Sequence, residues 1–146
     1  MERWLLELNF LGAALMTGII WFVQVVHYPL FGRVGAEGYS DYSIAHQQRT
    51  TFVVGGPMLL EAIATGLLLA GKTERALSVP FLAATGLLLI IWSSTAVLQI
   101  PLHEAMKRGF DAGLIRRLVL TNWIRTICWS ARVAILGIML RTGIST

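Results

Sequence analysis

The sequence predicts an all-α integral membrane protein: a four-helix up-down bundle with a short interfacial helix between helices 1 and 2, in a single domain over 1–146. Three observations carry this. Of 146 residues, 55% are hydrophobic and only 14% charged, against roughly 45–50% and roughly 25% in soluble domains. The mean hydropathy is +0.68. Four windows nearly free of charge each match the ~20 apolar residues that cross a ~30 Å hydrocarbon core as a helix.

The first window runs from Glu7 to Arg33 without a charged residue between them, and a span is expected near 7–29, ended by Pro29. It lacks a small-residue cleavage site after its apolar run and is too long for a signal peptide, so it reads as a true span. Segment 30–49 opens with glycines. From Tyr39 onward, Tyr39, Tyr42, His46 and Arg49 share one helical face, which predicts an interfacial helix running into helix 2. That second span, near 50–70, holds one charge, Glu61, and a proline, Pro57, where a kink is expected. The short GKTER connection (71–75) makes a hairpin with the third span, near 78–99, whose exit is expected at Pro101. A longer connection, 100–116, leads to the fourth span near 117–140, which carries Arg125 and Arg132. Ala14-x-x-x-Gly18 and Ala62-x-x-x-Gly66 supply small residues for packing within the bundle.

Composition also excludes some functions. The net charge of +4 sits at the span ends, as membrane-flank charge does, so no nucleic-acid surface is expected. A single cysteine, Cys128, rules out an internal disulfide and a Cys-x-x-Cys redox or zinc motif; within an apolar helix it reads as an inert thiol.

An up-down topology brings the end of span 1, the start of span 2, the end of span 3 and the start of span 4 to one membrane face. All three histidines, His27, His46 and His103, then lie on that face, with Gln24 and Gln99 one turn inside and Asn122 and Arg125 in the first turns of span 4. Three convergent imidazoles can ligate copper, iron or zinc, and a pair can ligate haem iron. No His-x-x-x-His or Glu-x-x-His spacing is present, so the same histidines also suit plain hydrogen bonding or substrate contact. At ~1.5 Å per residue, Glu61 lies roughly 16 Å deep, Arg125 roughly 10 Å and Arg132 roughly 21 Å. A carboxylate at that depth needs a cation, and either arginine would serve. Asn122, Arg125, Trp129 and Arg132 share a face, and Trp123 and Trp129 bracket Arg125 as candidate cation–π walls. The histidine-side loops hold Arg33, Arg49, Lys107, Arg108, Arg116 and Arg117, against Arg3, Lys72, Arg75 and Arg141 opposite, which turns the histidines toward the cytoplasm.

The stretches WFVQVVHYPLF, IAHQQRTTFVVGGPMLLEA, IWSSTAVLQIPLH and LTNWIRTICWSAR together resemble small bacterial four-helix membrane proteins of unassigned function, which are distantly similar to the anthrone-oxygenase-like membrane families. The resemblance implies the bacterial inner membrane and oxidation of an aromatic or quinone-like molecule. The leading expectation is thus a membrane oxidoreductase or monooxygenase acting on a small lipophilic substrate, with a metal or haem on His27, His46 and His103. In it, Glu61 and Arg125 form a proton-handling and anion-binding pair, and Gln24, Gln99, Asn122, Trp123, Trp129 and Arg132 surround substrate and ligands. Two other classes stand beside it. One is a transporter or channel subunit, a homo-oligomer that uses an intramembrane Glu–Arg pair. The other is a non-enzymatic accessory protein in which the polar face is glue.

Overall fold

In the computed structural model, which describes residues 2–142, nearly all of the chain is helical. The four main helices are α1 (Arg3–Arg33), α2 (Tyr39–Ala70), α3 (Val79–Met106) and α4 (Ala112–Thr142), each long and apolar enough to cross a membrane. Their 28 to 32 residues correspond to roughly 42–48 Å of helix, more than the ~30 Å core. The apolar windows mark only the part in hydrocarbon, and each helix continues into the headgroup zone, where polar side chains are solvated. The interfacial segment after Tyr39 accordingly runs into helix 2 as one unbroken helix, Tyr39–Ala70, entered through Gly38 in the left-handed region (φ 72°).

Helix 3 does not end at Pro101, nor helix 1 at Pro29. Each proline instead follows a five-residue π-helical turn, Val23–His27 in α1 and Thr95–Gln99 in α3. Tyr28 N–H reaches back to the Val23 carbonyl and Ile100 N–H to that of Thr95. The physical reason is the same twice. A proline inside a helix lacks an N–H and drives its ring against the carbonyl four residues back. One extra residue in the preceding turn moves that carbonyl aside and keeps the backbone bonded, as hydrocarbon demands.

Side by side, α1 packs against both α2 and α4, and α3 packs against α4; α2 approaches α3 closely only over its last turns, Ile100–Met106. The α1–α2 contact is permitted by Gly12: a Cβ there would lie 3.1 Å from the Pro57 carbonyl oxygen and 3.2 Å from Glu61 Cβ. The small residues expected to do this, Gly18 and Gly66, face open space. Two apolar clusters form the core. One, with Met16, Tyr28, Phe31, Met58, Ile91 and Trp129, lies at the histidine end. The other, with Leu6, Phe81, Ala84, Leu136 and Met139, lies at the far end.

Candidate functional site

Between the two clusters lies a buried polar network to which all four helices contribute. Arg132 Nε donates to Glu61 Oε2 at 3.2 Å, and Trp129 Nε1 donates to Glu61 Oε1 at 2.9 Å. The rest of the guanidinium donates to Asn9 Oδ1 (2.6 Å), to Thr65 Oγ1 (3.0 Å) and to the Ala84 carbonyl. Asn9 Nδ2 closes the circle on Thr65 at 2.8 Å. Glu61 and Arg132 are fully buried. Every nitrogen of the guanidinium and both carboxylate oxygens have a partner within the protein, so the pair is committed to the bundle. Such a pair is costly to break and stays in place because its hydrogen bonds are complete. This corrects the expected Glu61–Arg125 pair: among the described residues Glu61 has one cationic partner, Arg132.

Arg125 sits two turns nearer the histidine end of α4 and differs from Arg132 in every respect. It is buried, at 8% exposure, and forms no salt bridge among the described residues. Neutral oxygens hold it. Nε donates to Asn122 Oδ1 (3.0 Å), and Nη2 donates to the same oxygen, to the Tyr28 hydroxyl (3.2 Å) and to Gln99 Oε1 (3.5 Å). Behind them, Asn122 Nδ2 donates to Gln24 Oε1 at 2.8 Å, and Gln99 Nε2 to Thr121 Oγ1 at 3.0 Å. Gln24, Gln99 and Asn122 thus form one hydrogen-bonded set with Arg125 at its centre.

The π-turns explain how the next layer is aimed. They end at His27 and Gln99, with Tyr28 the next residue in α1 and His103 one turn further on in α3. The Tyr28 hydroxyl lies 3.0 Å from His103 Nε2. Arginine can only donate, so Tyr28 accepts from Arg125. The direction of the Tyr28–His103 bond follows the imidazole tautomer, and His103 Nδ1 is buried and without a partner among the described residues. His27 Nε2 and His46 Nδ1 lie 2.8 Å apart, and Thr50 Oγ1 is 3.1 Å from the same His46 nitrogen. Phe31 packs edge-on against both rings, with centroids 5.1 and 4.8 Å away.

All three histidines therefore gather at one membrane face, as the topology predicts, and the His46 and His103 ring centroids are 5.5 Å apart. They do not converge on a common point. His27 and His46 address each other and His103 addresses Tyr28, and among the described residues no three His, Cys, Asp or Glu side chains form a group that could hold a metal ion. The expected tryptophan walls also fall elsewhere. Trp123 is 39% exposed and meets Trp21 edge-on at 5.8 Å, and Trp129 serves Glu61. Cys128 is buried, as expected of an inert thiol.

Arg125, Tyr28, His46 and His103 line a cavity of about 220 Å³ that lies between α2 and α3. Thr50, Val54 and Met58 form its α2 wall, and Thr95, Gln99 and Ile100 its α3 wall. Exposed Thr51 and Ile100 stand on the two rims. The cavity exists because these two helices, although consecutive in the chain, do not close on each other. Sequence reasoning missed Tyr28, Phe31, Thr50 and Gln47, whose Nε2 donates to the His103 carbonyl at 2.8 Å. It also missed Asn9 and Thr65. The available signal was the presence of polar side chains inside otherwise apolar spans, which must find partners in the bundle. Comparison with known protein families, with curated proteins and with solved structures finds no match to this chain.

Proposed function

We propose that this chain is a membrane-embedded protein that takes a small lipophilic molecule from the bilayer and holds its quinone-like or aromatic carbonyl head group against Arg125. The observation that carries this is a buried arginine that forms no salt bridge among the described residues, opening on a cavity in an unsealed helix seam whose one acidic lining residue, Glu104, is paired with Lys107. An uncompensated cation in a low-dielectric site is expensive, and an anionic or electron-rich oxygen would lower that cost through the guanidinium fork. The cavity volume of about 220 Å³ lies below the roughly 300–1,000 Å³ of pockets that enclose a whole drug-sized ligand. It suits a head group whose apolar remainder stays in the membrane.

The chemistry these residues can supply is proton transfer, with Tyr28 and His103 giving or taking a proton at the bound oxygen; the electrons of a quinone-type reaction would come from a separate redox partner. No step is assigned to a metal or haem, because the ring nitrogens point at one another and at Tyr28. A transporter that exchanges partners at Glu61 is disfavoured by the saturation of that pair. For Glu61 and Arg132 the glue reading fits better.

The test is titration of purified protein in detergent micelles with menadione, a short-chain naphthoquinone, followed by heat or by thermal shift. Saturable binding is expected, with Arg125→Gln weaker by at least tenfold and Tyr28→Phe weaker by a smaller factor. Equal binding by Arg125→Gln and the parent chain, or no saturable binding to the parent, would overturn the proposal.

A further inference from the structure

A second groove lies on the other side of α2, against α1. Its volume is about 460 Å³, and its lining is apolar except at one end, where Arg49, His27 and Thr50 stand. Arg49 is the last charged residue before the apolar stretch of α2, which places it at headgroup level. It is exposed and forms no salt bridge among the described residues. From that end the antiparallel helices descend together, α2 through Val53 and Val54, α1 through Val23, Ile19 and Gly18. From His27 to Gly18 the groove runs roughly 13 Å along α1. At its deep end Gly18 contributes no side chain, and a Cβ there would meet nothing within 4 Å.

A cation at the headgroup level above an apolar channel of this length matches one class of ligand, an anionic amphiphile with an acyl chain. We propose that this groove binds one anionic phospholipid, its phosphate on Arg49 beside His27 and an acyl chain lying along Ile19, Val53 and Val54 to the gap at Gly18. Net negative charge on the lipid is selected because a zwitterionic head group brings its own cation to Arg49. A free phosphate would leave the channel unused. The site is independent of the cavity at Arg125, although Thr50 and Val54 border both.

Native mass spectrometry of the delipidated protein, titrated separately with dioleoyl phosphatidylglycerol and dioleoyl phosphatidylcholine, tests this. The expected result is a single phosphatidylglycerol adduct that survives activation energies removing phosphatidylcholine, with at least a tenfold preference. Arg49→Gln should abolish the preference. Gly18→Leu should fill the channel and remove the retained adduct, while helical content is kept and the melting temperature does not fall below the parent's, because the added side chain enters open space and leucine favours the helix over glycine. Equal retention of the two lipids, or an unchanged phosphatidylglycerol adduct in either variant, would overturn the proposal. So would a lipid-free dimer seated on the same face, lost in Gly18→Leu.

Discussion

Two arginines seven residues apart on α4 meet opposite environments, and the difference decides what each can do. Arg132 is surrounded by acceptors from the other three helices and is neutralised by Glu61. Arg125 is held only by neutral oxygens and borders a cavity. Removing the carboxylate should therefore expose the structural role directly. Glu61→Gln leaves Arg132 charged and fully buried without a counter-ion, and a loss of roughly 3–5 kcal/mol is expected. Unfolding in mixed micelles with increasing SDS measures it. The double variant Glu61→Gln, Arg132→Met should recover much of the loss. If the single variant is as stable as the parent, the pair is not what ties the bundle together.

At the scale of elements, the two π-turns and the close α1–α2 contact shape the molecule most. Both prolines were readable as breaks in a helix. That each is absorbed by a widened turn was not, since spacing does not show where a helix takes up an extra residue. The same holds for glycine. The sequence offers Gly18 and Gly66 in small-residue spacing, yet the helices touch at Gly12. Which face of a helix meets a partner is a property of the pair of helices, and in a span apolar all round the pattern does not reveal it. The two glycines should respond oppositely to one added methyl. Gly12→Ala pushes a Cβ against the Pro57 carbonyl and Glu61 and should cost roughly 1–3 kcal/mol. Gly18→Ala should gain roughly 0.5–1 kcal/mol from helix propensity alone. Melting temperatures of the two variants in the same detergent make the comparison.

For the whole molecule, the informative feature is an asymmetry in how the bundle closes. Three of the four neighbouring helix seams are packed and the α2–α3 seam is open over most of its length. The polar cavity lies in that seam, so the proposed lipophilic ligand would reach Arg125 sideways, without crossing the headgroup zone. Spin labels at Phe52 and Val97, 88% and 70% exposed on the two helices, should report the seam by electron–electron resonance. Their distance distribution should narrow when menadione occupies the cavity. An unchanged distribution at saturation would argue against lateral entry between these helices.

Sequence alone determined the number of spans, their approximate limits and the gathering of His27, His46 and His103 at one face. These follow from hydrocarbon thickness and from alternating direction, which act on every apolar helix regardless of its neighbours. It also determined that Glu61 must meet an arginine, because a buried charge needs compensation wherever the chain goes. Tertiary structure alone decided which arginine: Arg132, since the rotation and height of α2 against α4 bring it, and not Arg125, to the carboxylate. That choice rests on distances of a few ångströms between helices, to which hydropathy and spacing are blind. The same packing leaves Arg125 without a counter-charge beside an open seam, and the proposed site rests on that.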